Sequence, residues 1–273
     1  PTVQGGSGKQ ADIAPDTAQA VEFLESWNAP GDHTAITVIY PDNARPIKTF
    51  TFMLPEQSDQ LADLIDEHQG AGNIYFNVNP LKRRKAKKAA KGDVKALAYL
   101  HVDIDPVKGR DITAERKRIR AMIEDFRPRP SVVVDSGGGY QCFWRLETSV
   151  AVNGNYAELE MWNRRLEADL GGDACRNLDR IMRVPGTINI PNKKKRDAGR
   201  TEALAGIVWT IDETYSLDDF KHLPAPPAKP TTKRATVTPD QDTPQRFREF
   251  VANNPNSELA RLWQAGPDEV DGD

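Results

Sequence analysis

Between Leu97 and Asn189 the spacing of apolar residues switches repeatedly between the two-residue period of a strand and the 3.6-residue period of a helix. That alternation constrains the fold more than any other feature of the chain. Ala98 to Asp105 reads as a strand, and Ile119, Met122, Ile123 and Phe126 form the stripe of an amphipathic helix stopped by Pro128 and Pro130. Ser131 to Val134 is a β-branched strand, Ser136 to Gly139 a turn, and Tyr140 to Leu146 a second strand. Tyr156, Leu159, Trp162, Leu166 and Leu170 mark a helix ended by Gly171-Gly172, and Ile181, Met182 and Val184 a last strand. The order strand, helix, strand, strand, helix, strand is the ferredoxin-like, RRM-like split βαβ arrangement, and the class is α+β. Ile207 to Thr210 is expected to add an edge strand.

Before this unit, Val21, Phe23, Leu24 and Trp27 predict a helix. Ile36 to Tyr40 and Phe50 to Leu54 predict a strand pair, Leu61, Leu64, Ile65 and His68 a second helix, and Ile74 to Val78 another strand. Together they make an N-terminal α/β extension, with His68 expected as a packed core residue. The expected organisation is a disordered tail over 1–16, a catalytic-sized domain over 17–222, a proline- and threonine-rich linker over 223–244, and a helical segment beginning at 245–273. The chain begins at Pro1 without methionine and ends in a polar, aspartate-rich stretch, which reads as a piece of a longer protein. No run is apolar enough to span a membrane and no signal peptide is visible, so a cytoplasmic protein is expected. Cys142 and Cys175 are too few for a disulfide framework or a thiolate zinc site, so no zinc is expected.

Three features within the split βαβ unit carry chemistry. Asp103 and Asp105 lie two residues apart at the end of the first strand, so both project to one face. Adjacent carboxylates repel unless a cation lies between them, and an all-oxygen site suits Mg2+ or Mn2+. Beside that strand, Ser136-Gly137-Gly138-Gly139-Tyr140-Gln141 joins two strands, so it is neither a P-loop nor a dinucleotide fingerprint. Its successive N–H groups can still approach a phosphate, with Ser136 and Gln141 as side-chain donors. The segment Gly171 to Asn189 then adds acids and arginines. Carboxylates, a phosphate-sized turn and cations side by side are what two-metal phosphoryl transfer requires. The net charge of −3 conceals two basic runs, one from Lys82 to Lys91 and one from Arg176 to Arg200. Such clustering is the footprint of a polyanion partner.

These motifs together resemble the archaeo-eukaryotic primase superfamily, in particular the primase-polymerases of phages, plasmids and other mobile elements. The resemblance covers Asn73 to Asn189, and Phe76-Asn77-Val78-Asn79-Pro80 resembles the family's lead-in. It implies a DNA primase and DNA-directed polymerase that joins nucleotides from NTPs or dNTPs on a single-stranded DNA template. Asp103 and Asp105 match the family's metal-binding acidic pair, and by family spacing Asp173 is the third acid, in preference to Asp179, which is read as an ion-pair partner of Arg180 or Arg183. Ser136, Gly137, Gly139 and Gln141, with Arg180, Arg183 and Lys193, are implied as nucleotide contacts. Arg83, Arg84, Lys85, Lys87 and Lys88 are implied as template contacts. Gln141 stands where the family has histidine; an amide donates a hydrogen bond but carries no charge. A helical or helicase domain C-terminal to this segment is the implied partner. The alternative is a non-catalytic nucleic-acid- or nucleotide-binding module on the same fold, although Tyr140, Phe143 and Trp144 make a poor base-stacking platform. A tyrosine-dependent nicking initiator would want paired histidines, and His33, His68, His101 and His222 are scattered.

Overall fold

The computed structural model describes residues 13–225, 245–255, 257 and 260. The Asp16 side chain caps α1 (Thr17–Trp27) by accepting the Gln19 N–H at 2.9 Å, and the helix buries Ala20, Phe23, Leu24 and Trp27. There follow β1 (His33–Ile39), β2 (Lys48–Met53), α2 (Ser58–His68) and β3 (Asn73–Asn77), the elements that the apolar spacing predicts for the N-terminal extension. The split βαβ region supplies β4 (Ala96–Ile104), α3 (Ile112–Asp125), β5 (Val132–Asp135), β6 (Tyr140–Ala151), α4 (Tyr156–Leu170) and β7 (Ile181–Arg183). After it come β8 (Ile188–Asn189), α5 (Lys193–Asp197), β9 (Ala203–Leu204) and β10 (Gly206–Thr210). The chain divides into two units at residues 226 and 227. In the second, α6 (Gln245–Asn253) is helical and buries Val251. Most of the expected N-terminal tail and of the 223–244 linker lies outside the described residues.

Two antiparallel sheets carry the first unit, with strand orders β2-β1-β3-β7 and β10-β5-β6-β4. The second follows the split βαβ expectation for three strands, with the first and third, β4 and β6, as neighbours, and β10 is the expected edge strand. The fourth strand departs from it. β7 pairs with β3 in the N-terminal sheet, where Tyr75 stands opposite Arg183 and Phe76 opposite Met182. The place beside β4 is taken by single groups. Asn79 Oδ1 accepts the N–H groups of Ala98 and Tyr99, Asn163 Oδ1 accepts that of His101, and the Asp173 N–H donates to the Asp103 carbonyl. With those backbone groups satisfied, β4 has no need of a further strand.

Alternation along β4 divides the two cores. Leu97, Leu100, Val102 and Ile104 pack with Ile119 and Ile123 of α3 and Leu159 and Leu166 of α4. Tyr99 faces the other way and joins Phe143, Trp27, Phe76 and Met182 between the sheets, with the Trp27 and Tyr99 rings stacked at 4.0 Å. Each large side chain so buried contributes about 1.5–3 kcal/mol. His101 is on this second face and fully buried. Its Nε2–H donates to the Cys175 carbonyl at 3.0 Å, which leaves Nδ1 to accept from Asn163 at 3.3 Å. Burial lowers its pKa to about 4, so it is a neutral strut rather than a ligand. His68, the histidine predicted as core, is buried as well.

Candidate active site at the rim of the second sheet

Asp103 and Asp105 follow Tyr99 and His101 along one face of β4 and its end, so the row that is aromatic between the sheets becomes acidic where the strand emerges. Asp103 is pushed up to about 7, first by burial and then by the charge of Asp105, with Asp173 adding to the effect and Arg180 and Lys195 opposing it. Arg180 Nη2 lies 3.8 Å from Asp103 Oδ2. Among the described residues, neither Asp103 nor Asp105 accepts a hydrogen bond at its carboxylate. Half-buried acids without hydrogen-bond donors are costly to keep charged, and the Arg180 ion pair offsets that cost only in part, since Asp103 stays raised.

Gln141 stands directly across the ladder from Asp103, and Tyr140 across from Ile104. The Gln141 Oε1 accepts the Arg183 N–H at 3.1 Å, so the amide's NH2 is its remaining donor end. The turn before it needs its glycines. A Cβ on Gly139 would lie 2.3 Å from the Ile104 carbonyl and 2.5 Å from Asp105 Oδ1, and Gly137 has φ +76°. The Ser136 hydroxyl points inward: it donates to the Gly139 carbonyl at 3.1 Å and accepts the Gly139 N–H at 3.1 Å. Asp135 Oδ1 accepts the Gly137 N–H at 2.8 Å, while Oδ2 is paired with Arg116, whose guanidinium lies 5.0 Å from the Tyr140 ring centroid. Asn189 Nδ2 donates to the Ser136 carbonyl at 2.7 Å and fastens the turn to β8.

The arginines divide. Arg183 is 4% exposed, and its guanidinium donates to Asn73 Oδ1 at 2.7 Å, Tyr75 Oη at 3.0 Å and Asn189 Oδ1 at 2.9 Å. It braces the site from below. Arg180 stands at the acid pair. Asp179 is not an ion-pair partner of either arginine; its Oδ1 accepts from Asn177 Nδ2 at 2.8 Å. Asp173, by contrast, is tied through its backbone to Asp103, against which Gly172 packs so closely that a Cβ there would meet Val102 Cγ2 at 2.2 Å. The Lys193 Nζ pairs with Asp197 at 2.8 Å in solvent. Lys195 and Arg200, to which the motifs assign no role, are the cations that come to the acids and to the turn. Nothing in their sequence context sets them apart from Lys193 and Lys194; the fold of the segment does.

In the first basic run, Lys85 pairs with Asp93 at 2.9 Å, Lys91 with Glu160 at 2.8 Å, and Lys82 Nζ donates to the Gly92 carbonyl at 3.1 Å. Arg84 reaches the Thr51 carbonyl at 3.4 Å. Arg83, Lys87 and Lys88 are exposed and have no bonded partner among the described residues. No helix of the described residues is long and apolar enough to cross a membrane.

Two antiparallel sheets, an acid pair at the end of one strand and a glycine hairpin beside it define the primase-type α+β core. The RepB DNA-primase N-terminal domain matches residues 42–216, more than half of the chain, and the chain belongs to that family. Among solved structures, the AEP domain of the cyanophage S-2L primase-polymerase is similar at 20% identity with a TM-score of 0.54, over 77% of this chain and 99% of that one. The primase RepB′ matches at 13% identity and a TM-score of 0.47, over 72% of this chain and 58% of that one. The catalytic domain of RepB′ in complex with initiator DNA matches at 14% identity and a TM-score of 0.45, over 72% and 87%. No curated protein matches the chain.

Proposed function

We propose that the rim of the second sheet is the active site of a template-directed nucleotidyl transferase, a primase-polymerase that serves replication of a mobile element. The observation that carries this reading is the pair Asp103 and Asp105, neither accepting a hydrogen bond at its carboxylate among the described residues and the charge of one raising the other, beside the glycine turn in a chain of the RepB DNA-primase family. A divalent ion fits the donor chemistry: the groups are carboxylate oxygens, and the burial, with the added charge of Asp105, that holds Asp103 near 7 is what a cation would offset. Among the described residues no three His, Cys, Asp or Glu side chains converge on one point. That suits Mg2+, which takes one or two carboxylates and completes its shell with water and substrate phosphates. Asp103 and Asp105 would hold it, with Asp173, tied to Asp103 through its backbone, as a nearby third acid that does not converge with them on one point.

When bound there, such an ion would activate the attacking hydroxyl and neutralise charge on the departing pyrophosphate. The chain's own residues set the geometry. In the transfer, a 3′-hydroxyl gives up its proton to solvent, its oxygen bonds to the α-phosphorus, the bond from that phosphorus to the bridging oxygen breaks, and pyrophosphate leaves with the electron pair. The glycine turn, whose N–H groups are held by Asp135 and Ser136, would let the phosphates approach closely, the Gln141 amide would donate to them, and Arg180 would steady charge beside Asp103. Arg83, Lys87 and Lys88 would contact the template backbone.

Incorporation of labelled nucleotides on primer-free single-stranded DNA with Mg2+ or Mn2+, beside an Asp103→Ala, Asp105→Ala double variant, tests the reading. Template-dependent products that fall by about 10³-fold or more in the variant are expected, several kcal/mol of barrier being at stake. If neither protein makes products or extends a pre-annealed primer, the nucleotide-binding module becomes the better description.

A further inference from the structure

Most cations near the acid pair already have a partner inside the fold. Arg183 is held by Asn73, Tyr75 and Asn189, Lys193 by Asp197, and Arg196 by Asp42 at 2.6 Å and the Pro191 carbonyl at 2.6 Å. Arg200 differs. Among the described residues its guanidinium makes no hydrogen bond and no ion pair, although the residue is only partly exposed. Its backbone is nevertheless fixed: the Arg200 N–H donates to the Lys195 carbonyl at 3.0 Å, closing the chain back onto α5. Asp42, from the connection between β1 and β2, ties that helix down, its Oδ1 accepting the Lys193 N–H at 2.7 Å and its Oδ2 bound to Arg196.

The guanidinium rests on the glycine turn. A Cβ on Gly138 would lie 2.5 Å from Arg200 Nη1, and 3.7 Å from both Asn189 Nδ2 and Asp105 Oδ1. An unpaired guanidinium, a turn with no side chain over it, an amide donor and an acid of the pair therefore converge on one spot. Gly138 keeps φ in the ordinary range, so the absence of a side chain there serves close approach rather than backbone conformation.

We propose that Arg200 binds the terminal phosphates of the incoming nucleoside triphosphate, and that Asp42 is its positioning residue. The proposal rests on the reading of the rim as a nucleotidyl-transfer site. A guanidinium presents N–H donors in a fork that matches phosphate oxygens, and it keeps its charge at every working pH. A half-covered cation with no anion in the fold leaves its donors for one that arrives. Arg183 cannot fill this role without abandoning its three acceptors, and Gln141 brings no charge. Arg200 thus supplies the positive charge above the turn.

The test compares dATP and dAMP binding, by titration calorimetry with Ca2+, for the whole chain and for Arg200→Ala, Arg200→Lys, Asp42→Ala and Lys194→Ala. The Arg200→Ala variant is expected to weaken dATP binding by about 10- to 100-fold, the range of a charged hydrogen-bonding contact, and to leave dAMP within about twofold. Arg200→Lys should recover part of the loss. Asp42→Ala should give a smaller loss of the same kind, and Lys194→Ala, at an exposed position of α5, none. Equal losses for dATP and dAMP, or none for dATP, would overturn the assignment while leaving the site intact. If the folded wild-type chain binds no dATP, the reading of the site itself fails, and the assignment with it.

Discussion

Lys85 and Lys91 reach Asp93 and Glu160, while Lys195 and Arg200 reach the acid pair and its turn. In the chain the two basic runs look alike. In the fold, the first ties its own loop to α4 and to β2 and leaves Arg83, Lys87 and Lys88 in solvent. The second is sorted by depth: Arg183 is buried as a brace, Arg196 and Lys193 secure α5, and Arg180, Lys195 and Arg200 are left around the carboxylates. What a cation does here depends on the acceptor within its reach, so the density of charge along the chain is a poor guide to which residues meet substrate.

The sharpest way to break the comparison is at its most buried member. Arg183→Ala would leave Asn73, Tyr75 and Asn189 without their charged donor, and a loss of about 3 kcal/mol or more is expected in urea unfolding. Arg183→Lys, which lacks the fork, should restore less than half. A loss below about 1 kcal/mol would move Arg183 from the brace to the substrate-facing group.

The next effect has the opposite sign. Folding raises the Asp103 carboxyl from about 3.8 to about 7, so the folded chain binds more protons than the unfolded one between those values. Its stabilising contribution is complete below about pH 4 and is lost as pH rises through 7. In chelator-treated protein, Asp103→Asn should therefore be more stable than wild type at pH 8, by on the order of 2–4 kcal/mol, and by no more than about 1 kcal/mol at pH 4.5. The same variant should be inactive at every pH, and thermal melts at the two pH values with a parallel incorporation assay check both halves.

The smallest effect concerns the first run. Replacing Arg83, Lys87 and Lys88 together with alanine should lower the slope of log affinity for single-stranded DNA against log salt by about 2, with thermal stability changed by less than about 0.5 kcal/mol. Lys85→Ala should do the reverse, costing stability and little of the salt slope. If Lys85→Ala carries the DNA effect instead, the division between tying and contacting residues in this run is wrong.

The elements themselves were legible because each has a long apolar pattern: the alternation through β4, the stripe of α3 and the leucines of α4 all place side chains where the sequence assigns them. The placement of β7 was not. A three-residue strand carries too little pattern to choose a sheet, and the choice depends on Asn79 and Asn163, amides remote in sequence that occupy the edge it would have joined. The acid pair could be read from its two-residue spacing. Ser136 could not, because a hydroxyl beside glycines looks the same whether it faces a ligand or its own turn. Arg180 and Arg183 are likewise the same residue type three apart, and only the pairing of β7 with β3 turns one under the sheet and the other toward Asp103.

The amides that seal β4 also bear on how the molecule behaves in company. An edge strand with open N–H and C=O groups invites a second copy, or an extended peptide, to pair with it. Asn79, Asn163 and the backbone of Asp173 occupy that row with short, discontinuous contacts that no strand can displace in register without breaking all of them. The strand that bears the carboxylates thus has its edge groups at Ala98, Tyr99, His101 and Asp103 already occupied, which guards that edge against pairing with a second copy.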